Sequence, residues 1–119
     1  MNKKKKKLKR EADKLFYQVC LLKNPKCLLC GRPANQVHHF FPKSRYAHLR
    51  YELDNGISLC QACHFQLTHV DKSLSGKIVA LKSKRWYNKL EKKAKQKPPP
   101  SFLNIEWYQK QIEKLKKLL

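Results

Sequence analysis

Two pairs of cysteines constrain this chain more than any other feature of its sequence. Cys27 and Cys30 form one Cys-x2-Cys motif, Cys60 and Cys63 form another, and twenty-nine residues lie between the pairs. Four thiolates can hold a tetrahedral Zn²⁺ at about 2.3 Å, and such a closed site is structural because it leaves no open coordination position. The gap exceeds the ~15–20 residues of a simple zinc ribbon, so we expect a further structural element between the pairs.

The composition gives a second reason to expect a structural metal. With 119 residues, of which 41% are hydrophobic, the chain can build one modest core. Domains of this size bury a limited share of their surface and often depend on a metal or on disulfides. The fifth cysteine, Cys20, lies outside both motifs, and we expect it to pack as a small buried hydrophobic residue.

The charge predicts a polyanionic partner. There are 28 lysines and arginines against 8 acids, a formal net charge of +20. Nucleic acid, an anionic membrane face and acidic proteins would all suit such a field. No run reaches the ~20 apolar residues of a membrane span. The basic start also lacks the apolar stretch and cleavage site of a signal peptide, so we expect an intracellular protein with no membrane role.

Residue patterning divides the chain into three parts. We predict a basic disordered tail over 1–10, a core with an N-terminal helix over 11–75 and a basic helical extension over 76–119. The predicted elements are helices over 11–23, 61–69, 77–95 and 103–119, and strands over 36–41 and 57–59. The apolar face of the last helix is predicted to be core or a packing seam.

Histidines concentrate between and just after the cysteine pairs. Four of the five histidines lie there, namely His38, His39, His48 and His64. A His-His pair at the end of a strand, with a third histidine directly after a zinc-binding cysteine, is hard to explain as packing. For His48, in the polar loop, we expect no such role.

At these residues the sequence resembles the HNH endonuclease family. The resemblance rests on Val37-His38-His39, Asp54-Asn55-Gly56 and Cys60-Gln61-Ala62-Cys63-His64, and covers roughly residues 15–70. It implies an α+β fold with a small ββα-metal core, like a treble clef, a Cys₄ zinc site and helices on both flanks. The single-module size and basic helical tail are similar to small stand-alone HNH proteins of phages and mobile elements.

The resemblance also implies roles for individual residues in hydrolysis of a DNA phosphodiester bond. His39 would be the general base, and His38 and His64 would hold a catalytic divalent metal. Asn55 would orient His39 or pin the loop. His69, five residues after His64, is a candidate third ligand or phosphate contact, with an ordinary surface histidine as the equal alternative.

The identity of the catalytic metal stays open. His38 stands where many relatives of the family carry Asp, so the ligand set is richer in nitrogen. Imidazole suits Zn²⁺, Ni²⁺ or Mn²⁺ better than Mg²⁺, which prefers oxygen. Nicking and double-strand cleavage are both compatible with the motif.

Basic residues near the motif are candidates for DNA contacts, since Arg and Lys bind phosphate. The candidates are Lys43, Arg45, Arg50, Lys82, Lys84 and Arg85. A symmetric double-strand cut would need a homodimer, for which the 103–119 helix is a candidate seam.

Two other functions remain open at this level. One is a non-catalytic zinc module that binds nucleic acid, although that role needs no cluster of His38, His39, Asn55 and His64. The other is an adaptor protein that uses its C-terminal helix to contact a partner and is indifferent to DNA.

Overall fold

A computed structural model describes residues 2–119, and it shows helices arranged around one two-stranded sheet. The elements are α1 (Lys3–Lys23), β1 (Gln36–His39), β2 (Gly56–Leu59), α2 (Gln61–Phe65), α3 (Leu74–Lys82), α4 (Lys84–Lys95) and α5 (Ile105–Lys116). The predicted α+β class is confirmed, with the β1–β2–α2 unit at its centre.

The first helix is longer than the sequence pattern indicated. It begins at Lys3, where the side chain of Asn2 accepts a hydrogen bond from the N–H of Lys5 at 2.8 Å. Lysine is a good helix former and asparagine a good N-cap, so the predicted disordered tail over 1–10 is corrected from residue 3 onward, with Met1 outside the described residues. Apolar residues recur at helical spacing within 11–23. Ala12, Leu15, Phe16 and Val19 are buried, whereas Leu22 is 64% exposed.

The two strands form an antiparallel pair that sets the position of both neighbouring histidines. His38 pairs with Ile57 and His39 pairs with Gly56. A Cβ at Gly56 would lie 2.7 Å from the Sγ of Cys20 and 2.9 Å from the Cζ of Phe16. Glycine is therefore required at the start of β2 because the strand packs directly against α1.

The helix that follows the second cysteine pair changes its winding. Residues Gln61–Phe65 are α-helical, and Gln66–Val70 form a π-helical turn in which the N–H of Asp71 donates to the carbonyl of Gln66 at 2.7 Å. Such single π turns are uncommon and are often found at functional sites.

The C-terminal half differs from its prediction in two respects. The single helix expected over 77–95 is broken at Ser83, which has a φ of 148° and caps α4 by accepting from the N–H of Trp86 at 3.0 Å. The apolar face of α5 packs against α1, in a cluster that includes Phe16, Tyr108 and Ile112. The face expected to be a dimer seam is thus covered within the chain, and the core continues across the boundary predicted at 75/76.

Within residues 2–119, none of the helices combines the length and apolarity of a membrane span.

Candidate active site and metal centre

The four cysteines of the two motifs come together at one point. Their Sγ atoms all lie within 4.8 Å of one another, and those of Cys30 and Cys60 are 3.6 Å apart. Zn–S bonds of about 2.3 Å give a tetrahedron with edges of about 3.8 Å, so the group has the size that zinc requires. Gly31, with a φ of 79°, provides the left-handed turn after the first pair.

The pKa values of these thiols differ within the group. Burial raises the pKa of Cys27, but backbone N–H groups outweigh it and bring the value down to about 7. Burial and the neighbouring sulfurs raise the pKa of Cys63 to about 12. Four thiolates at this distance repel one another, so complete deprotonation requires a positive ion among them, and zinc binding would release protons.

His38 and His64 form a pair of neighbouring rings. Their ring centroids are 5.5 Å apart, with His38 in the third position of β1 and His64 in α2. Two imidazoles that share one ion through bonds of about 2.1 Å have ring centres about 5–5.5 Å apart, so this pair fits a shared metal. Burial, assisted by His64 and His39, lowers the pKa of His38 to about 4, so its ring is neutral as a metal ligand must be.

His39 points to the opposite side of the strand. Its Nε2 lies 2.9 Å from the backbone carbonyl of Arg50, and its ring stacks on Phe16 of α1 with 5.2 Å between centroids. Burial lowers the pKa of His39, and the charges of Lys43 and Arg50 add to the shift, against a raising effect of the hydrogen bond to the Arg50 carbonyl. The imidazole is therefore held in a fixed orientation in its neutral form.

A single cleft of about 330 Å³ unites the three histidines and is here called the histidine cleft. It is lined by Tyr17, Val37, His38, His39, Pro42, Lys43, Ser44 and His64. His38 faces α2 and His39 faces α1, so the two adjacent rings share one cleft because β1 ends at His39 and the chain turns away at Pro42. Lys43 supplies a positive charge at the same opening.

Asn55 is fully buried and fixes the loop between the strands. Its Oδ1 accepts from the N–H of Phe41 at 2.8 Å, and its Nδ2 donates to the carbonyls of Phe41 at 3.1 Å and Leu49 at 3.3 Å. These bonds tie the segment after β1 to the segment before β2. The amide contacts backbone groups of the segment that follows the histidine pair rather than the His39 ring.

His69 lies in the π turn that follows α2. Its ring is 4.9 Å from that of Phe65, and its charge lowers the pKa of His64 after the larger effect of burial. In the described part of the chain, the four cysteines are the only group of three or more potential ligands with all donor atoms within 4.8 Å. His69 therefore lies near His64 without closing a three-histidine cluster.

Comparison with known protein families gives one match. The family model described as HNH endonuclease matches residues 27–69. This segment is an HNH domain. No curated protein and no solved structure matches the chain. The HNH domain runs from Cys27 to His69, and so contains the four clustered cysteines and all five histidines of the chain.

The basic residues singled out in the sequence lie in different places. Lys43 lines the histidine cleft of the HNH domain, whereas Arg45 lies in a separate hollow beside Pro98 and Pro100. Arg50 pairs with Asp13. Lys84 and Arg85 are exposed at the start of α4, and Lys82 is half-buried at the end of α3.

Sequence reasoning missed the contribution of α1, which lies outside the HNH domain. Asp13 accepts from the Nε of Arg50 and from its second guanidinium nitrogen, both at 2.8 Å, and from the hydroxyl of Tyr51 at 2.7 Å. Tyr17 lines the histidine cleft with its ring 6.5 Å from that of His39. The one available signal was an acid at position 13, isolated on an otherwise basic helical face.

Proposed function

We propose that the chain is a metal-dependent endonuclease that hydrolyses DNA phosphodiester bonds in the histidine cleft. The observation that carries the proposal is the arrangement of His38, His39 and His64. Two of these rings fit one metal ion, and the third is held separately in the same cleft by a backbone carbonyl. A nucleic-acid-binding zinc module needs no such division of roles.

His39 has the properties of a general base. A carbonyl oxygen only accepts hydrogen bonds, so the Nε2 of His39 carries the proton in its bond to Arg50. Nδ1 therefore keeps its lone pair and can take a proton from an attacking water. Because the pKa of His39 is lowered, the ring is unprotonated and ready at neutral pH.

His38 and His64 would hold the catalytic metal, with His69 as a third ligand. A bound divalent ion neutralises charge on the phosphate and stabilises the leaving oxygen. The all-nitrogen ligand set favours Zn²⁺, Ni²⁺ or Mn²⁺ over Mg²⁺. For His69 to join, its ring has to move toward His64. A π turn has more residues per turn than an α-helix, so two residues five apart face more nearly the same side.

The remaining cleft residues position the reacting groups. Asn55 fixes the loop that follows the histidine pair. Lys43 and Ser44 lie at the cleft opening, where an ammonium and a hydroxyl can bind phosphate oxygens. The net charge of +20 draws DNA to the protein.

A plasmid assay tests this proposal. Zinc-loaded protein, freed of weakly bound metal by mild chelation, is incubated with supercoiled plasmid and Mn²⁺, Ni²⁺ or Mg²⁺. We expect nicking to depend on the added metal, and His64→Ala to abolish it while the protein keeps one zinc ion per chain. The matched control is His48→Ala, which should nick normally. His48 lies outside the cleft, where its Nε2 is hydrogen-bonded to the carbonyl of Lys93. If no metal supports nicking, the chain is a zinc-dependent nucleic-acid-binding module instead.

A further inference from the structure

One face of α1 carries a second, strongly basic cleft next to the histidine cleft. This basic cleft has a volume of about 410 Å³ and is lined by Lys6, Lys9, Arg10, Asp13 and Arg50. At 100° per residue, positions 6, 9, 10, 13 and 17 fall on one side of a helix. The same face of α1 therefore runs from the basic cleft to Tyr17 in the histidine cleft.

The positive charge of the basic cleft is not neutralised from within. Asp13, its one acid, is already engaged by two hydrogen bonds from Arg50 and one from Tyr51. Glu11 lies on another side of α1, where it pairs with Lys116. Among residues 2–119, no ion pair involves Lys6, Lys9 or Arg10. Three cations thus converge on a concave surface without an acid to balance them.

Arg50 joins the two clefts physically. Its guanidinium forms part of the basic cleft, and its backbone carbonyl holds His39 in the histidine cleft. Lys43 lies at the opening of the histidine cleft. Burial lowers its pKa most, and the positive charges of both Arg50 and Lys9 lower it further. The two clefts are therefore near neighbours on one positive surface.

We propose that the basic cleft binds a backbone phosphate of the DNA strand that is cut, on one side of the scissile phosphate. This inference rests on the proposed nuclease function and assigns DNA contacts to a helix that the HNH domain does not include. Between Tyr17 and Arg10 or Lys6, α1 spans about 10–16 Å at 1.5 Å per residue. With about 3.4 Å of axial rise per phosphate in each strand, a duplex that lies along α1 has the bound phosphate about three to five nucleotides from the cut.

Binding measurements on the full-length, zinc-loaded chain test the site without cleavage. The variant Lys6→Gln/Lys9→Gln/Arg10→Gln is compared with Lys110→Gln/Lys114→Gln/Lys117→Gln, which removes the same charge from exposed positions of α5 and its C-cap. A labelled DNA duplex without added second metal is titrated at several salt concentrations. The α1 variant should reduce the slope of log Kd against log salt by about 1, since one lost phosphate contact contributes about 0.9. The α5 variant should leave the slope nearly unchanged.

A charge-preserving variant and a phosphate scan complete the test. Lys6→Arg/Lys9→Arg should keep wild-type affinity, which separates loss of charge from loss of fold. Methylphosphonate linkages, which remove single phosphate charges, should weaken wild-type binding when placed about three to five nucleotides to one side of the cut and leave the α1 variant unaffected.

The outcomes separate this inference from the proposed function. Equal losses in the α1 and α5 variants would overturn the inference even if the plasmid is nicked. A selective loss in the α1 variant without any nicking would support the phosphate site and reject the nuclease.

Discussion

Asp13 and Arg50 join the N-terminal helix to the loop that holds the proposed general base. Two hydrogen bonds of 2.8 Å link the carboxylate of Asp13 to the guanidinium of Arg50, whose backbone carbonyl lies 2.9 Å from the Nε2 of His39. The side chain of Tyr51 reaches the same carboxylate. Residues 50 and 51 are thus both tied to α1, so the orientation of His39 depends on a helix outside the HNH domain.

Removing the charge of Asp13 should therefore impair cleavage more than binding. We expect Asp13→Asn to lower kcat about tenfold with little change in KM, because misorientation of a base weakens its proton transfer. The loss of charge-assisted hydrogen bonds should also cost about 1–2 kcal/mol in the free energy of unfolding. The control is Glu11→Gln, which makes the same charge change on the same helix at an exposed ion pair. Similar kcat values for both variants would show that Asp13 does not position His39.

The hydroxyl of Tyr51 predicts a dependence of stability on alkaline pH. Burial raises the pKa of Tyr51 above its usual 10.0, and the hydrogen bond to Asp13 adds to the shift. Because the folded state holds this proton more tightly, its stabilising effect is complete below the unfolded pKa and is lost as pH rises above it. The stability advantage of wild type over Tyr51→Phe should therefore shrink by up to about 1.4 kcal/mol per pH unit above about pH 10.

Urea unfolding of both proteins between about pH 8 and about pH 11 measures this difference. The other tyrosines are common to wild type and variant, so their titration cancels. A constant difference across the range would mean that the Tyr51 hydroxyl ionises equally easily in both states.

The contact between β2 and α1 predicts that Gly56 cannot be enlarged. Its added Cβ would press on the Sγ of Cys20 and the ring of Phe16, and Gly56→Ala should cost about 1–3 kcal/mol of unfolding free energy. Gly76→Ala is the control, since nothing lies within 4 Å of the added atom in α3, and it should be neutral or stabilising by up to about 1 kcal/mol.

A double variant identifies the cause of that loss. Cys20→Ala removes the nearer contact, so in thermal or urea unfolding it should recover part of the stability lost in Gly56→Ala. Additive losses in the two variants would place the strain elsewhere.

We expect substitutions of cysteines inside and outside the four-sulfur group to have different effects on zinc content and folding. Cys60→Ala should lose the metal and most of its helical signal in circular dichroism, because a small core that depends on zinc unfolds without it. Cys20→Ala should keep one zinc ion per chain, since Cys20 is buried against Phe16 and Gly56, outside the four-sulfur group. Metal analysis of both variants checks this, and retention of zinc by Cys60→Ala would contradict the assignment.

The sequence was most informative where functional residues lie close together along the chain. The motifs that predicted the β1–β2–α2 unit consist of residues only a few positions apart. They are the two cysteine pairs, the His38-His39 pair, and His64 directly after Cys63. The start of α1 was also encoded locally, by Asn2 as an N-cap before a run of lysines. The run of like charges predicted disorder instead, because lysine side chains repel one another.

Features that depend on tertiary contact had no local signal. Asp13 and Arg50 are 37 residues apart, and their spacing follows no periodicity. Gly56 carries a turn signal in the sequence, but its requirement comes from the approach of α1. The break at Ser83 likewise falls in a segment without proline or glycine, and beyond it the Nε1 of the half-buried Trp86 donates to the carbonyl of Asp54 at 3.0 Å.

The most direct test of the central claim is the single-turnover cleavage rate of His39→Ala on a DNA duplex with the most active metal. We predict a fall of about 10²–10⁴-fold, with zinc content and DNA affinity unchanged. A rate within a few-fold of wild type would contradict the assignment of His39 as the base in the histidine cleft.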